Sequence, residues 1–254
     1  MNDICDIVSL NRDVEPLVIQ ASATRTRFFR EIAEDRFRPL RFVHFSDIHA
    51  VPELWDRIVD FVNYYSNYVD FAIHTGDYCG SCQEEYVDFY GTGKPCARSI
   101  YNCVGNHDTV TTPDWIKNTK ESAHRLLFEP CNCKDELAFL ECDYSMTYYR
   151  DFPESNIRLV VLDMYFDIDI QCAWLRDILR DAREKGLCVI TAMHERTDFV
   201  NDTFGVTFHT RNDYLSLEGR RDRSPFEEII VDFIADGGCH ICNLAGHEHH
   251  DLFG

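Results

Sequence analysis

The sequence lacks any long apolar run, since no stretch of 18 or more consecutive apolar residues occurs in its 254 residues. A membrane-spanning helix needs about 20 such residues, so none is predicted. The first residues, Met1 to Asp6, also lack the basic and apolar pattern of a secretion signal. We therefore expect a soluble, cytoplasmic protein with no membrane partner.

Positive charge is also scarce. Lysine and arginine number 25 against 44 aspartates and glutamates, which gives a formal net charge of −19. An acidic surface repels the phosphate backbone of nucleic acids and anionic membranes. Nucleic acid is therefore a disfavoured partner, although the charge does not exclude it.

No internal repeat and no low-complexity tract divides the chain. With 45% hydrophobic residues, it is long enough to bury one substantial core. Residues 1–38 are predicted to form an N-terminal extension that includes a surface helix over Thr24–Asp35, and residues 39–254 to form one domain. The arginines of that helix are expected to be solvated, with contact to a partner or to phosphate as the less favoured alternative.

Twelve cysteines without a secretion signal predict reduced thiols rather than a disulfide framework. Four of them lie in strand-like runs and are expected to be small buried side chains: Cys103, Cys188, Cys239 and Cys242. A structural zinc site is the alternative for a second group, comprising Cys79, Cys82, Cys96, Cys131 and Cys133. Ordinary loop cysteines are favoured there, because the pair at 131 and 133 lacks the spacing usual in zinc sites.

From Leu40 onward, strand-like and helical patterns alternate, which predicts an α/β fold. The predicted strands are Arg41–Ser46, Phe71–Thr75, Ser99–Val104, Leu187–Met193 and Cys239–Ala245. Helices are predicted from Pro52, over Asp114–Phe128, over Cys172–Lys185, and from a Ser224 cap to Ala235. Tyr144–Arg150 and Ile157–Leu162 are predicted to form a hairpin, Pro130–Asp143 a loop, and Glu195–Arg223 a long polar loop.

Each of the five predicted strands is followed by Asp, Asn or His at its C-terminal end. In an open α/β sheet these ends lie along one edge, which is where ligands bind. Carboxylate, amide and imidazole groups in such number favour a metal site. For histidines outside this pattern we expect hydrogen-bonded or surface positions, namely His44, His74, His124, His209 and His240.

The ordered set of Asp47-x-His49, Gly76-Asp77, Gly105-Asn106-His107-Asp108, His194 and Gly246-His247-x-His249 resembles the calcineurin-like metallophosphoesterase superfamily. The resemblance spans residues 41 to 249 and every motif position is present. It implies a four-layer α/β/β/α sandwich with mixed sheets flanked by helices. Because the chain stops at Gly254, directly after the histidines, we expect C-terminal strands of that fold to be missing.

The resemblance also implies roles for the motif residues. One metal would be held by Asp47, His49, Asp77 and His249, and a second by Asp77, Asn106, His194 and His247. Asp77 would then bridge two divalent ions, for which Mn, Fe, Zn, Ni or Co all suit the donor set. His107 would act as the acid or as a phosphate-stabilising imidazole, with Asp108 setting its orientation.

The implied reaction is hydrolysis of a phosphodiester or phosphomonoester of a small substrate, with a hydroxide bridging the two metals as nucleophile. The alternatives are a nuclease of the same fold, whose contacts would be arginines in or near the long loop, and a non-enzymatic, metal-supported protein-binding module. The combination of Asp-x-His with Gly-Asn-His-Asp is similar to the bacterial phosphodiesterase-type branch and to the repair nucleases of the same superfamily. Purple acid phosphatases carry a tyrosine three residues after the bridging Asp, where this chain has Gly80, so a tyrosinate–iron centre is not expected.

Overall fold

The computed structural model describes residues 38–78, 95–108, 120–128, 136–163, 167–195 and 225–247. Several predictions fall outside these ranges. They concern the helix of the N-terminal extension, the cysteines at 79, 82, 131 and 133, the polar loop from residue 196 onward, His209 and His249.

The described strands form two sheets, as the predicted four-layer sandwich requires. A three-stranded parallel sheet has the order β1 (Phe42–Phe45), β2 (Phe71–His74) and β3 (Ile100–Asn102). A five-stranded mixed sheet follows chain order and consists of β4 (Ala138–Phe139), β5 (Tyr148–Phe152), β6 (Ile157–Val161), β7 (Cys188–Ala192) and β8 (Cys239–Leu244). The five polar strand ends come from both sheets, three from the three-stranded sheet and two from the five-stranded sheet.

Four helices connect these strands within the described ranges: α1 (Pro52–Tyr64), α2 (Lys120–Phe128), α3 (Ile168–Lys185) and α4 (Pro225–Ala235). Helix α1 begins with Pro52 in its first turn, as predicted. Helix α3 begins four residues before the predicted start, because the Asp167 side chain caps it by accepting a hydrogen bond from the Ile170 N–H at 3.1 Å. It ends where Gly186 adopts φ 69°.

The predicted hairpin is confirmed, with β5 and β6 antiparallel from Tyr148–Val161 to Phe152–Ile157. A 3-10 turn over Pro153–Ser155 joins them, and Asn156 takes the left-handed conformation that Asn tolerates. The loop predicted over Pro130–Asp143 is wrong in part, because the short strand β4 lies within it and pairs with β5. Two residues carry too little alternation for a strand to be visible in the sequence.

The five-stranded sheet is covered on both faces. In β6, Ile157, Leu159 and Val161 contact the core shared with the three-stranded sheet and with α1 and α2, whereas Val160 packs against α3 and α4. This alternation is the two-residue period of a strand. Phe71 of β2 and Phe152 of β5 stack across the sheets with ring centroids 5.0 Å apart. The predicted four-layer α/β/β/α sandwich is thus confirmed.

One cysteine prediction is wrong. Cys188 and Cys239, predicted to be reduced, form a disulfide between β7 and β8. The two residues pair directly with each other at the start of the two parallel strands. Their proximity cannot be predicted from the sequence, because 51 residues separate them. Cys103 is buried and free, and Cys242 is partly buried and free, so these two fit the prediction.

None of the helices in the described ranges combines the length and the apolar composition that crossing a membrane demands.

Candidate metal centre

The loops that follow β1 and β2 are held against each other by backbone hydrogen bonds. The N–H of Asp47 donates to the Gly76 carbonyl at 3.0 Å, and the N–H of His49 donates to the Asp77 carbonyl at 3.1 Å. Asp47, His49 and Asp77 all have positive φ, at 56°, 47° and 60°. Such conformations are costly for non-glycine residues and concentrate at functional sites.

Two glycines allow these loops to approach so closely. Gly76 has φ 100°, and a Cβ there would lie 2.6 Å from Nδ1 of His194. A Cβ on Gly105 would lie 2.1 Å from Oδ1 of Asp77 and 2.3 Å from its backbone nitrogen. The glycines of the Gly-Asp and Gly-Asn-His-Asp motifs are therefore required by contact with the candidate ligands themselves.

Four side chains from four loops converge at one point: Asp77, Asn106, His194 and His247. Nε2 of His194 lies 3.0 Å from Oδ1 of Asn106 and 3.2 Å from Oδ2 of Asp77. Nδ1 of His247 lies 3.1 Å from the same Asn106 oxygen and 3.2 Å from Nε2 of His194. This is the complete set predicted for the second metal.

A second group shares Asp77. Donor atoms of His49, Asp77 and His107 lie within 4.8 Å of one another, as do those of Asp77, His194 and His247. Nε2 of His49 is 3.7 Å from Oδ2 of Asp77 and 3.9 Å from Oδ1 of Asp47. Asp77 therefore lies between two clusters, in the position predicted for a bridging carboxylate.

Asp47 and Asp77 are themselves fixed by backbone donors. The N–H of His247 donates to both oxygens of Asp47, at 2.9 and 3.1 Å, and the Ser46 hydroxyl donates to Oδ2. The N–H of His107 donates to Oδ1 of Asp77 at 2.9 Å. Each carboxylate is thus oriented by the loop that carries another candidate ligand.

Asp108 is fully buried and joins the loops after β2 and β3. Its Oδ2 accepts the N–H groups of Asp77 at 2.8 Å and Gly105 at 2.9 Å, and its Oδ1 accepts the N–H of Tyr78 at 2.9 Å. The predicted role of orienting His107 stays a prediction. These three hydrogen bonds fix the backbone on either side of Asp77.

The electrostatics of the centre favour a cation. Burial tends to raise the pKa of Asp77, yet the hydrogen bond and charge of His194 and the N–H of His107 bring that pKa down to about 2. Burial likewise opposes a proton on His194, but Asp77 and Asp47 outweigh it and raise the pKa of His194 to about 9. The negative field that stabilises a proton at His194 also favours a divalent metal ion there.

The donor geometry fits a transition metal. Ligands that each lie 2.0–2.1 Å from one ion are separated from each other by about 2.9–3.4 Å in octahedral or tetrahedral arrangements. Four of the separations among Asp77, Asn106, His194 and His247 are 3.0–3.2 Å and fall within that range. The Nδ1 of His194 is 2.7 Å from the carbonyl oxygen of Thr75, which leaves Nε2 to face the cluster.

The structure brings together seven of the predicted metal and catalytic residues in the two clusters or beside them: Asp47, His49, Asp77, Asn106, His107, His194 and His247. Asp108 lies in the layer behind them, and His249 lies outside the described residues. Sequence reasoning missed Ser46 and the Thr75 carbonyl. Ser46 directly precedes the Asp-x-His motif, so its contact with Asp47 could have been predicted from the sequence. A backbone carbonyl leaves no signal in the sequence.

The histidines outside the motifs were predicted to be hydrogen-bonded or at the surface, and the four of them in the described ranges are hydrogen-bonded. Each of them has a ring nitrogen within hydrogen-bonding distance of a group other than the candidate ligands: Thr75 for His44, the Gly76 N–H for His74, Ser145 for His124 and Thr191 for His240. Tyr78 also lies outside the metal cluster, since its hydroxyl donates to Oδ1 of Asn102 in the core.

The comparison with protein families agrees with the resemblance found in the sequence. The chain matches the family model of calcineurin-like phosphoesterases over residues 40–251. It therefore belongs to the calcineurin-like phosphoesterase family, a class of hydrolases acting on phosphoric esters. No curated protein sequence matches the chain.

Among solved structures, the chain is similar to a purple acid phosphatase isolated from yellow lupin (Lupinus luteus) seeds. The two share 13% sequence identity with a TM-score of 0.43, and the match covers 62% of this chain. It covers only 30% of the lupin chain, so this chain spans less than a third of that protein.

Proposed function

We propose that this protein is a metal-dependent phosphoesterase that hydrolyses a phosphodiester or phosphomonoester of a small substrate at a dinuclear centre. One observation carries the proposal: two clusters of donor atoms share the Asp77 carboxylate. A carboxylate with two oxygens can bind two cations, and paired cations suit the in-line displacement at phosphorus.

The resident ions, when bound, would supply a water of lowered pKa and would neutralise charge on the phosphoryl oxygens. Asp77 would hold both ions, with His49 and Asp47 on one side and Asn106, His194 and His247 on the other. His249 is proposed to complete the first set. Mn, Fe, Zn, Ni and Co remain the candidate metals, because the donors are carboxylate, amide and imidazole.

We propose His107 as the group that transfers a proton. Its ring packs edge-on against His49 with centroids 4.8 Å apart, and its backbone N–H is fixed to Asp77. It is only partly buried, so its ring is accessible to a substrate at the edge of the centre. We propose that it donates a proton to the departing alkoxide, with Asp108 holding the loop that carries it.

The test is hydrolysis of bis-p-nitrophenyl phosphate and p-nitrophenyl phosphate by metal-stripped protein to which Mn²⁺, Ni²⁺, Zn²⁺, Co²⁺ or Fe²⁺ is restored. We expect turnover that requires metal and that falls by two or more orders of magnitude in Asp77→Ala, since the bridging ligand is lost. Comparison of the two substrates decides between diester and monoester.

The matched control is Asp177→Ala, which removes an exposed carboxylate of α3 that pairs with Arg180. It should retain the full rate. Folded, metal-loaded protein that cleaves neither substrate with any of these ions would contradict the proposal, as would an Asp77→Ala variant as active as the control.

A further inference from the structure

Helix α1 presents a second apolar face besides the one that enters the core. Trp55, Val59 and Val62 are its buried residues. A further set of apolar residues, exposed or partly exposed, follows spacings of four, three and four along the helix to its C-cap: Leu54, Ile58, Phe61 and Tyr65. Such spacing places side chains on one face, as in helices that pack against another helix.

Exposed aromatic rings are concentrated on this face and on the turn that follows the helix. Their exposed fractions range from 37% to 80%: Phe61, Tyr64, Tyr65 and Tyr68. The ring centroids of Phe61 and Tyr65 lie 4.7 Å apart, and those of Tyr64 and Tyr65 lie 4.8 Å apart. Together with Leu54 and Ile58, these four residues form one patch, which we call the aromatic stripe. A contiguous apolar patch marks an interaction surface, and aromatic residues are enriched in the core of protein–protein interfaces.

Residues 95–97 contact the side of α1 that lies opposite the aromatic stripe. The side chain of Asn63 donates to the Pro95 carbonyl at 3.0 Å and accepts the N–H of Ala97 at 2.6 Å. Asn63 follows Phe61 by two residues, which places it about 160° around the helix axis from Phe61. With the buried face on a third side, these contacts leave the aromatic stripe on the outer side of α1.

Acidic side chains line one edge of the aromatic stripe. Glu53, Asp56 and Asp60 are all exposed, and Arg57 is the one basic residue of the helix. Because successive residues of a helix are about 100° apart, the three acids fall within about 60° of one another around the axis, next to Tyr64. The aromatic stripe is therefore flanked by negative charge, which is complementary to a basic ligand.

This charge decides among the classes of ligand that an apolar helix face could bind. A second copy of the chain would bring the same acids to the contact and a net charge of −19, and like charges across an interface repel. Nucleic acids and anionic membranes are repelled for the same reason. A basic amphipathic helix matches both the apolar face and its acidic edge. Three turns of such a helix would cover the roughly 17 Å from Leu54 to Tyr65.

We propose that the aromatic stripe of α1 is a docking surface for a basic amphipathic helix of another protein. The apolar face of that helix packs on Leu54, Phe61 and Tyr65, and its lysines or arginines lie along Glu53 and Asp56. The inference does not depend on the proposed catalytic activity, because it uses none of the candidate metal ligands.

Fluorescence anisotropy of labelled synthetic peptides added to the full chain tests this docking. The probe is a peptide of about 18 residues, made of leucine and lysine with the leucines at helical spacing, which is long enough to form a helix. One control peptide has the same composition in scrambled order, and another has glutamate in place of lysine. At about 150 mM salt, we expect the probe to bind at least about 10-fold more tightly than either control, because only the probe combines an apolar face with positive charge.

Substitutions in the aromatic stripe locate the bound probe. Phe61→Ser/Tyr65→Ser should weaken its binding by at least about 10-fold, since central aromatic residues carry much of the energy of an interface. The matched control is Val231→Ser/Ile234→Ser, which alters two exposed apolar residues of α4 and should leave the affinity unchanged. Circular dichroism of both variants verifies that each is folded.

Charge reversal gives a second readout that keeps every aromatic ring. Glu53→Lys/Asp56→Lys should weaken binding of the lysine peptide and strengthen binding of the glutamate peptide. Glu228→Lys/Asp232→Lys changes the net charge equally at exposed acids of α4 and should have a smaller effect on both affinities, because the introduced charges lie away from the aromatic stripe.

Three results would overturn the proposal. The first is a probe that does not bind, or that binds no more tightly than the scrambled peptide. The second is binding that is unaltered in Phe61→Ser/Tyr65→Ser. The third is a dimer in sedimentation equilibrium that disappears in the same variant, since it would assign the aromatic stripe to a second copy of the chain.

Discussion

At the scale of single residues, four candidate ligands have a strained backbone conformation. Asp47, His49, Asp77 and His247 all have φ between 47° and 73°, a region that costs roughly 1–2 kcal/mol per non-glycine residue. The surrounding hydrogen bonds hold them there, above all those of the buried Asp108. Four of the seven non-glycine residues with positive φ in the described ranges are candidate metal ligands.

Asp108→Asn tests whether this carboxylate positions Asp77. The substitution replaces an oxygen that accepts backbone N–H groups with an amide NH2, which cannot accept them. We therefore expect the unfolding free energy to fall by about 1–3 kcal/mol. Metal binding should weaken by about 10–100-fold. Urea unfolding and metal titration by calorimetry measure the two effects. Asp177→Asn, at an exposed site, should change neither. Unaltered metal affinity in Asp108→Asn would remove Asp108 from the site.

Gly105→Ala tests the close approach of two loops. Its Cβ would lie 2.1 Å from Oδ1 of Asp77, so we expect the carboxylate to move and metal affinity to fall by at least about 10-fold. Gly186→Ala is the matched control, because that glycine has positive φ but open space around its Cβ position. It should cost about 1 kcal/mol in stability and nothing in metal binding. Equal metal affinity in the two variants would contradict this account.

At the scale of elements, the fully buried Arg158 joins β6 to α3. Its guanidinium donates to both oxygens of Asp151 at 2.6 and 2.8 Å and to the Ile178 carbonyl at 2.8 Å, and it pairs with Asp181 at 2.8 Å. It also lies over the ring of Tyr149, 4.2 Å from the centroid. One side chain thus links a strand, its hairpin partner and a helix.

Arg158→Ala should lower the unfolding free energy by about 2–5 kcal/mol, because the packing of a fully buried side chain is lost and the Ile178 carbonyl loses its donor. The metal centre should be unaffected. Lys185 and Arg158 hold the pKa of Asp181 below its ordinary value of 3.8, so Asp181 contributes stability above that pH and loses it as pH falls through the lowered pKa. Chemical unfolding at pH 7 and below pH 4 should therefore show a smaller penalty in acid. A loss of unfolding free energy that is the same at both pH values would mean that Arg158 stabilises the protein by packing rather than by its charge.

The disulfide between Cys188 and Cys239 spans 51 residues of sequence and links neighbouring strands. By the chain-entropy model such a cross-link adds about 4 kcal/mol. We expect both cysteines to resist alkylation until the protein is reduced, and reduction to lower the unfolding temperature. Alkylation of both cysteines in folded, unreduced protein would contradict the disulfide and support the free thiols predicted from the sequence. Free thiols are usual in cytoplasmic proteins.

Most elements were predictable because periodicity and turn chemistry are local signals. The strands, the hairpin around Asn156 and the proline at the start of α1 all depend on neighbouring residues. What the sequence concealed is long-range: the division of five strand ends between two sheets, the pairing of Cys188 with Cys239, and the hydrogen bonds from Asp108 to the loop of Asp77. Asp77, Asn106, His194 and His247 were nevertheless named from the sequence, because each lies within four residues of the C-terminal end of a strand. Their binding of metal stays a prediction. His249 stays a prediction.

At the scale of the whole molecule, the net charge of −19 opposes the approach of an anionic phosphoester. We expect kcat/KM for bis-p-nitrophenyl phosphate to rise as ionic strength is increased from about 10 to about 150 mM, because salt screens repulsion between like charges. A value that falls with salt would indicate that local positive charge, rather than the whole surface, governs substrate approach.

Chelation should lower the unfolding temperature. A metal ion present at 100 times its dissociation constant adds about 2.7 kcal/mol to the folded state, which is roughly 5–11 °C for a protein of this size. Differential scanning calorimetry with and without EDTA measures the shift, and Asp77→Ala should show none. A shift of equal size in that variant would mean that EDTA acts elsewhere.

The candidate ligands lie on loops from both sheets: Asp77 and Asn106 follow strands of the three-stranded sheet, and His194 and His247 follow strands of the five-stranded sheet. An ion bound by all four would therefore act as a cross-link across the inter-sheet seam. Forced separation of the two sheets, for instance in a single-molecule pulling experiment, would have to break metal–ligand bonds together with the aromatic contacts of the core. The resistance of this fold to mechanical load should then depend on the supply of trace metals in its surroundings.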